Sequence, residues 1–108
     1  MIEKVIQALS EPKRRIILQL VSDKELTSSV IASHFEISAP AISQHLKVLE
    51  ESGLVIVRKD GTKRFYGIRR EGLSELKEYI ERFWDDQLLL LKEVAEEEER
   101  RTNESDSK

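Results

Sequence analysis

The chain contains no cysteine, so disulfides and thiolate-held metal sites are excluded from the outset. Long apolar runs are missing too. The run at residues 88–91 is four leucines, far short of the roughly 20 residues that a membrane helix needs. No signal peptide is visible at the start. The expectation is a soluble, cytoplasmic protein without a membrane partner. Catalytic patterns are absent as well: there is no nucleophile–base pair, no glycine-rich phosphate loop and no metal cluster, so an enzyme is not expected. What remains is a chain of 108 residues, enough for one domain whose small core is better buried if the protein oligomerises.

The net charge of −3 hides a division. Residues 1–70 carry 12 Lys/Arg against 8 Asp/Glu, a balance of +4, while residues 71–108 carry 6 against 13, a balance of −7. The basic part suits a polyanion, and the acidic part suits the side away from it.

Within the basic part, residues 38–53 organise the rest. Ser38 is a good helix N-cap, Pro40 sits where a missing N–H costs nothing, and Gly53 can end the helix left-handed. Ile42, Leu46 and Leu49 share one face. At about 100° per residue the opposite face carries Pro40, Gln44 and Lys47, flanked by Ala41 and Ser43. Such a strip, small near its start and polar without acid, fits a DNA major groove: small residues permit close approach, and amide and hydroxyl groups pair with base edges or phosphates.

In chain order, Ile2, Val5, Ile6 and Leu9 describe a first amphipathic helix. Ser10-Glu11-Pro12 breaks it and starts a second, whose buried side is Ile16, Ile17, Leu20 and Val21. Lys13, Arg14 and Arg15 in its first turn oppose the helix dipole unless a phosphate or a carboxylate is near. Glu25-Leu26-Thr27 is a minimal strand. Thr27 caps a third helix over residues 28–35, with Val30, Ile31 and Phe35 inward and His34 in a structural place at its end. Two short helices joined by residues 36–37 read as a helix-turn-helix whose second member, 38–52, is the recognition helix. His45, about 60° from the core centre of that helix, is half-buried, with a packing or phosphate-bonding role.

After Gly53 the period changes to that of strands. Residues 54–57 and 64–68 flank Asp60-Gly61, a strong two-residue hairpin turn. That centre pairs Lys59 with Thr62, Arg58 with Lys63 and Ile56 with Phe65. Like charges facing each other destabilise a hairpin, so a tip holding Arg58, Lys59, Lys63 and Arg64 implies an anion beside it; a solvated basic turn is the alternative. Residues 54–68 form a wing. The last helix, 71–99, carries Leu73, Leu76, Ile80, Phe83, Gln87, Leu90 and Val94 at 3,4 spacing, with Trp84, Leu88, Leu91 and Ala95 alongside. Two such stripes exceed what a small chain can hide, and a partner helix is the simplest cover. Residues 96–108 are charged and expected to fray into disorder.

Residues 8–17 (Ala-Leu-Ser-Glu-Pro-Lys-Arg-Arg-Ile-Ile), 43–49 (Ser-Gln-His-Leu-Lys-Val-Leu) and 53–55 (Gly-Leu-Val) resemble the ArsR-type winged-helix repressors of bacteria and archaea, over roughly residues 2–95. The resemblance implies a mainly α fold with a small β-hairpin, a winged helix-turn-helix with a long C-terminal dimerisation helix. It also implies a homodimer on operator DNA that changes grip when an effector, here unidentified, binds. Residues 1–95 would be the DNA-binding and dimerisation domain. The second subunit would cover Leu73, Leu76, Ile80, Phe83, Trp84, Leu88, Leu90, Leu91 and Val94. Base reading is assigned to Pro40, Ala41, Ser43 and Gln44. Phosphate contact is assigned to Lys13, Arg14, Thr27, Ser38, His45, Lys47, Arg58, Lys59, Lys63 and Arg64. Many relatives sense metals through cysteines on the third or recognition helix, or bind zinc between last helices through Asp, His and Glu. This chain has no cysteine and no histidine after His45, and Asp85, Asp86, Glu93 and Glu96 alone offer a weak oxygen-only set. No metal and no cofactor is expected. A winged-helix interaction module without DNA binding and a small-molecule-binding protein are the alternatives.

Overall fold

The computed structural model describes residues 2–106, with side chains through 102. Eight elements follow one another: α1 (Ile2–Leu9), α2 (Pro12–Leu20), β1 (Leu26–Thr27), α3 (Ser28–Ala32), α4 (Ala39–Glu51), β2 (Val55–Asp60), β3 (Lys63–Ile68) and α5 (Arg70–Asp106). The chain divides into one unit ending at Leu76 and a second beginning at Lys77.

In the first unit the helices enclose a core of Val5, Ala8, Ile17, Leu18, Val21, Ile31, Ile42, Leu46, Leu49, Leu54, Val55 and Tyr66. The face of α4 expected inward is the face buried. On α1 and α2 the buried side is rotated from the expected one. Ala8 and Leu18 go inside, while Ile6 and Ile16 stay 44% and 43% exposed. Apolar spacing gives the width of a helical stripe but not which edge the neighbours cover.

Caps set the helix starts. Glu11 caps α2, its carboxylate accepting from the Lys13 amide at 2.6 Å, with Pro12 in the first turn. Thr27 Oγ1 accepts from the Val30 amide and Ser38 Oγ from the Ala41 amide, both at 3.3 Å. Helix α3 is shorter than expected: it ends at Ala32, and His34 lies in the turn beyond it, donating its amide to the Ile31 carbonyl at 3.1 Å. Gly53, at φ 80°, closes α4 left-handed.

The sheet has the order β1-β3-β2 and is antiparallel throughout. β1 faces β3 through Leu26–Tyr66 and Thr27–Phe65. The hairpin register differs from the expected one. Asp60 faces Lys63, Lys59 faces Arg64, and Arg58 faces Phe65, so the turn centre is Gly61-Thr62. The reason is backbone sterics. Two-residue turns centred on Asp60-Gly61 in the type I′ form need a positive φ at Asp60, whereas a Gly-X centre of the type II′ kind needs it only at the glycine. Gly61 sits at φ 63°, and no non-glycine among the described residues has a positive φ.

Arg69 joins the wing to the last helix: its amide donates to the Leu54 carbonyl at 2.9 Å and its Nη1 to the Gly53 carbonyl at 3.3 Å. Gly72 lets the first turn of α5 approach, because a Cβ there would collide with the Gly53 carbonyl. Leu73 and Leu76 pack against the first unit's own core. The helix continues to Asp106 rather than ending near 99. In the second unit Ile80, Phe83, Trp84, Leu88, Leu90, Leu91 and Val94 are all exposed, Trp84 to 60%. No helix among the described residues is long and apolar enough to cross a membrane.

Candidate nucleic-acid interface

α4 offers an exposed strip of Pro40, Ser43, Gln44 and Lys47, with Ala41 half-covered at its edge. The burial of Ile42, Leu46 and Leu49 fixes this orientation, since a helix anchored by one face must show the other. Gln44 and Lys47 have no side-chain partner among the described residues. A groove of about 690 Å³ brings Ser43 and Lys47 together with Ser28 and with Arg64 of β3, though Glu50 and Glu51 also line it. A second groove, about 340 Å³, gathers Thr27, Ser28, Ser29, Thr62, Lys63 and Arg64. The α3 N-terminus and the wing tip therefore share one concave surface.

The cations fall into two groups. Lys47, Lys59, Lys63 and Arg64 are exposed and have no ion-pair partner among the described residues. Lys59 and Arg64 face one another across the hairpin, an arrangement that repels in water and becomes favourable beside an anion. The like-charge pair expected at Arg58 and Lys63 is thus realised one step along, at Lys59 and Arg64, and Lys63 instead faces Asp60.

Arg58, Arg14 and Arg15 are engaged by the protein itself. Arg58 Nε donates to Glu25 Oε2 at 2.8 Å, and the guanidinium lies 4.5 Å from the centre of the Phe65 ring. It ties the wing to the residue just before β1. Arg14 Nε donates to the Ala8 carbonyl and Arg15 Nη1 to the Leu9 carbonyl, each at 2.6 Å. These basic residues at the start of α2 close the open carbonyl end of α1, where a cation is favourable. The partner is neither a phosphate nor a carboxylate, the two candidates that sequence offers. Arg14 Nη1 also lies 3.3 Å from His45 Nδ1. Lys13 Nζ stands 4.0 Å from Glu11 Oε1, a loose pair of half-buried residues.

Beside this cluster, Glu11 holds its proton less tightly than the ordinary 4.5. Desolvation pushes the value up, but the Lys13 and Arg14 amides, the Lys13 ammonium and His45 together outweigh it. Glu25 and Arg69 are contributors that sequence alone did not single out. Their partners stand 33 and 16 residues away, a separation that leaves no local signal. Among the described residues no group of three or more His, Asp or Glu side chains is placed to hold a metal ion.

The chain is similar to known proteins in sequence and in fold. The family described as bacterial regulatory protein, arsR family, matches residues 11–57. An HTH-type transcriptional regulator of Mycobacterium tuberculosis is 38% identical over 82 residues, covering 76% of this chain and 77% of that protein. The arsenical resistance operon repressor of Staphylococcus xylosus is 35% identical over 77 residues, covering 71% and 74%. Among solved structures, the homodimeric winged helix-turn-helix DNA-binding domain of a possible ArsR-family regulator from Mycobacterium bovis superposes with a TM-score of 0.63 at 28% identity, covering 78% of each chain.

Proposed function

The chain belongs to the arsR family of bacterial regulatory proteins, and on that premise we propose that it is a sequence-specific, duplex-DNA-binding transcriptional repressor that works as a homodimer. It is a regulator rather than an enzyme, and its place is the cytoplasm, where operator DNA lies. The recognition helix α4 enters the major groove. Pro40, Ala41, Ser43 and Gln44 read base edges there, while Lys47, Ser38 and Thr27 hold phosphates at its margins. Lys59, Lys63 and Arg64 reach the flanking backbone from the wing, and Lys13 does so from the start of α2. Arg58 sets the angle of the wing through Glu25 instead of gripping DNA. In the dimer the exposed stripe of α5 around Phe83, Trp84, Leu88, Leu90 and Leu91 meets its twin.

One observation carries this reading. Gln44 and Lys47 of α4 and the wing-tip cations Lys59, Lys63 and Arg64 have no partner among the described residues, while Arg14, Arg15 and Arg58 are engaged by the protein itself. Folding has no use for the free groups; a polyanion does. A titration against random-sequence duplex at several salt concentrations tests it. We expect binding whose log K falls with log salt at a slope of about −0.9 per phosphate neutralised. Absence of binding at low salt would favour a winged-helix interaction module instead.

A further inference from the structure

Arg14 is held from three directions. Its Nε donates to the Ala8 carbonyl at 2.6 Å and its Nη2 to the Gln7 carbonyl at 3.2 Å, both at the end of α1. Its Nη1 lies 3.3 Å from His45 Nδ1 on the recognition helix. A guanidinium stays protonated and has no acceptor to offer, so the contact has one polarity: Arg14 donates and Nδ1 accepts. An imidazole nitrogen that accepts carries no hydrogen, which leaves the ring hydrogen on Nε2. Nε2 has no partner among the described residues. No buried polar side-chain atom there lacks a partner either, so Nε2 must reach solvent. His45 follows Gln44 directly and is half-buried between the core face and the exposed strip.

We propose that Arg14 is a positioning residue for DNA recognition: anchored to the α1 carbonyls, it holds His45 in the Nε2–H form and so presents one fixed N–H donor to a backbone phosphate. The proposal rests on the DNA-binding reading above and replaces a direct phosphate contact by Arg14. The anchor is what gives the device its direction. With two N–H groups fixed on carbonyls of the preceding helix, the guanidinium is placed by the fold and not by the ligand. Two consequences separate this from an arginine–phosphate pair. Arg14 neutralises no phosphate, so it releases no counterion of its own. Its effect on binding also passes entirely through His45.

The test uses the full ¹⁵N-labelled chain and random-sequence duplex. In the free protein at alkaline pH, where the ring carries a single proton, ring correlation spectra of His45 are expected to show Nε2 protonated and Nδ1 bare. Arg14→Lys keeps the charge but cannot serve the carbonyls and the imidazole together. It is expected to blur that tautomer and weaken DNA binding roughly tenfold or more, the scale of one charge-assisted hydrogen bond per half-site. Arg14→Gln should weaken binding similarly with the salt slope unchanged, and neither substitution should cost anything further in a His45→Ala background. A lysine variant that binds like the parent, a slope shallower by about 0.9 per lost contact in the glutamine variant, or additive losses would each overturn the proposal. If the variants fail to fold, the parent spectrum still decides, because an Nδ1–H ring or a tautomer mixture contradicts it. Failure of the parent to bind any duplex would overturn both readings, whereas a wrong tautomer with intact DNA binding overturns this one alone.

Discussion

Gln44 concentrates the specificity argument in one side chain. Its amide is exposed on α4 with no partner among the described residues, and a bidentate amide–adenine pair discriminates by roughly 1–3 kcal/mol. Gln44→Ala is therefore expected to cost about that much per half-site on the matched operator and far less on random duplex. Equal losses on the two DNAs, measured by gel shift, would make Gln44 a backbone contact. Glu11 has a different signature, in pH. Its folded value lies below 4.5, so the folded state binds this proton less readily than the unfolded chain. The stabilisation is complete above that value and lost as pH falls through the folded one. The urea midpoint of Glu11→Gln should lie below the parent's at pH 6 and approach it as pH drops under about 4.5; a gap that stays constant with pH would remove the charged cap. The three basic residues 13–15 show where residue-level reading stopped. Their conflict with the α2 dipole was visible in the sequence. Its resolution, arginines turned back onto carbonyls six residues earlier, depends on how sharply α1 meets α2.

At the scale of elements, the wing was legible as a hairpin but not in its register. Moving the pairing by two residues leaves every side chain on the same face, so the alternation that identifies the strands cannot choose between the two registers. Only the turn distinguishes them, through the φ that Asp60 would have had to adopt. The observed register makes a double prediction for Arg64→Ala combined with Lys63→Ala. Removing the Lys59–Arg64 repulsion offsets the loss of the Asp60–Lys63 pair, so hairpin stability should change by no more than a few tenths of a kcal/mol. DNA binding should nevertheless weaken on operator and random duplex alike, with a slope shallower by about 0.9 for each phosphate released over both subunits. An unchanged slope would mean the wing tip is an ordinary solvated turn. The recognition helix needed no such correction, because its cap, its proline and its three core residues all specify the same orientation. The third helix ends before Phe35 because the half-buried Phe35 and Ile37 lie in the turn beyond Ala32, and Val30, expected inward, is 43% exposed.

For the whole molecule, the split between a basic first part and an acidic second part was readable from composition, as was the excess of apolar surface on α5. What sequence did not separate was the share each side takes: Leu73 and Leu76 serve the chain's own core, and the exposed stripe starts only with the residues after them. Leu90 is 53% exposed in the single chain, so Leu90→Glu should leave the domain folded. In a twofold interface it places two carboxylates in an apolar seam, where desolvation costs several kcal/mol per unpaired charge. The expected product is a helical monomer with intact groove-facing residues and much weaker operator binding; a variant that sediments as a dimer would move the interface elsewhere. The most direct test of a symmetric pair of recognition helices reading DNA is selection of bound duplexes from a random pool by the parent protein. The account predicts an enriched site with twofold symmetry, its half-sites about one helical turn, roughly 34 Å, apart. Enrichment of a single unrepeated half-site, or no enrichment over the starting pool, would contradict it.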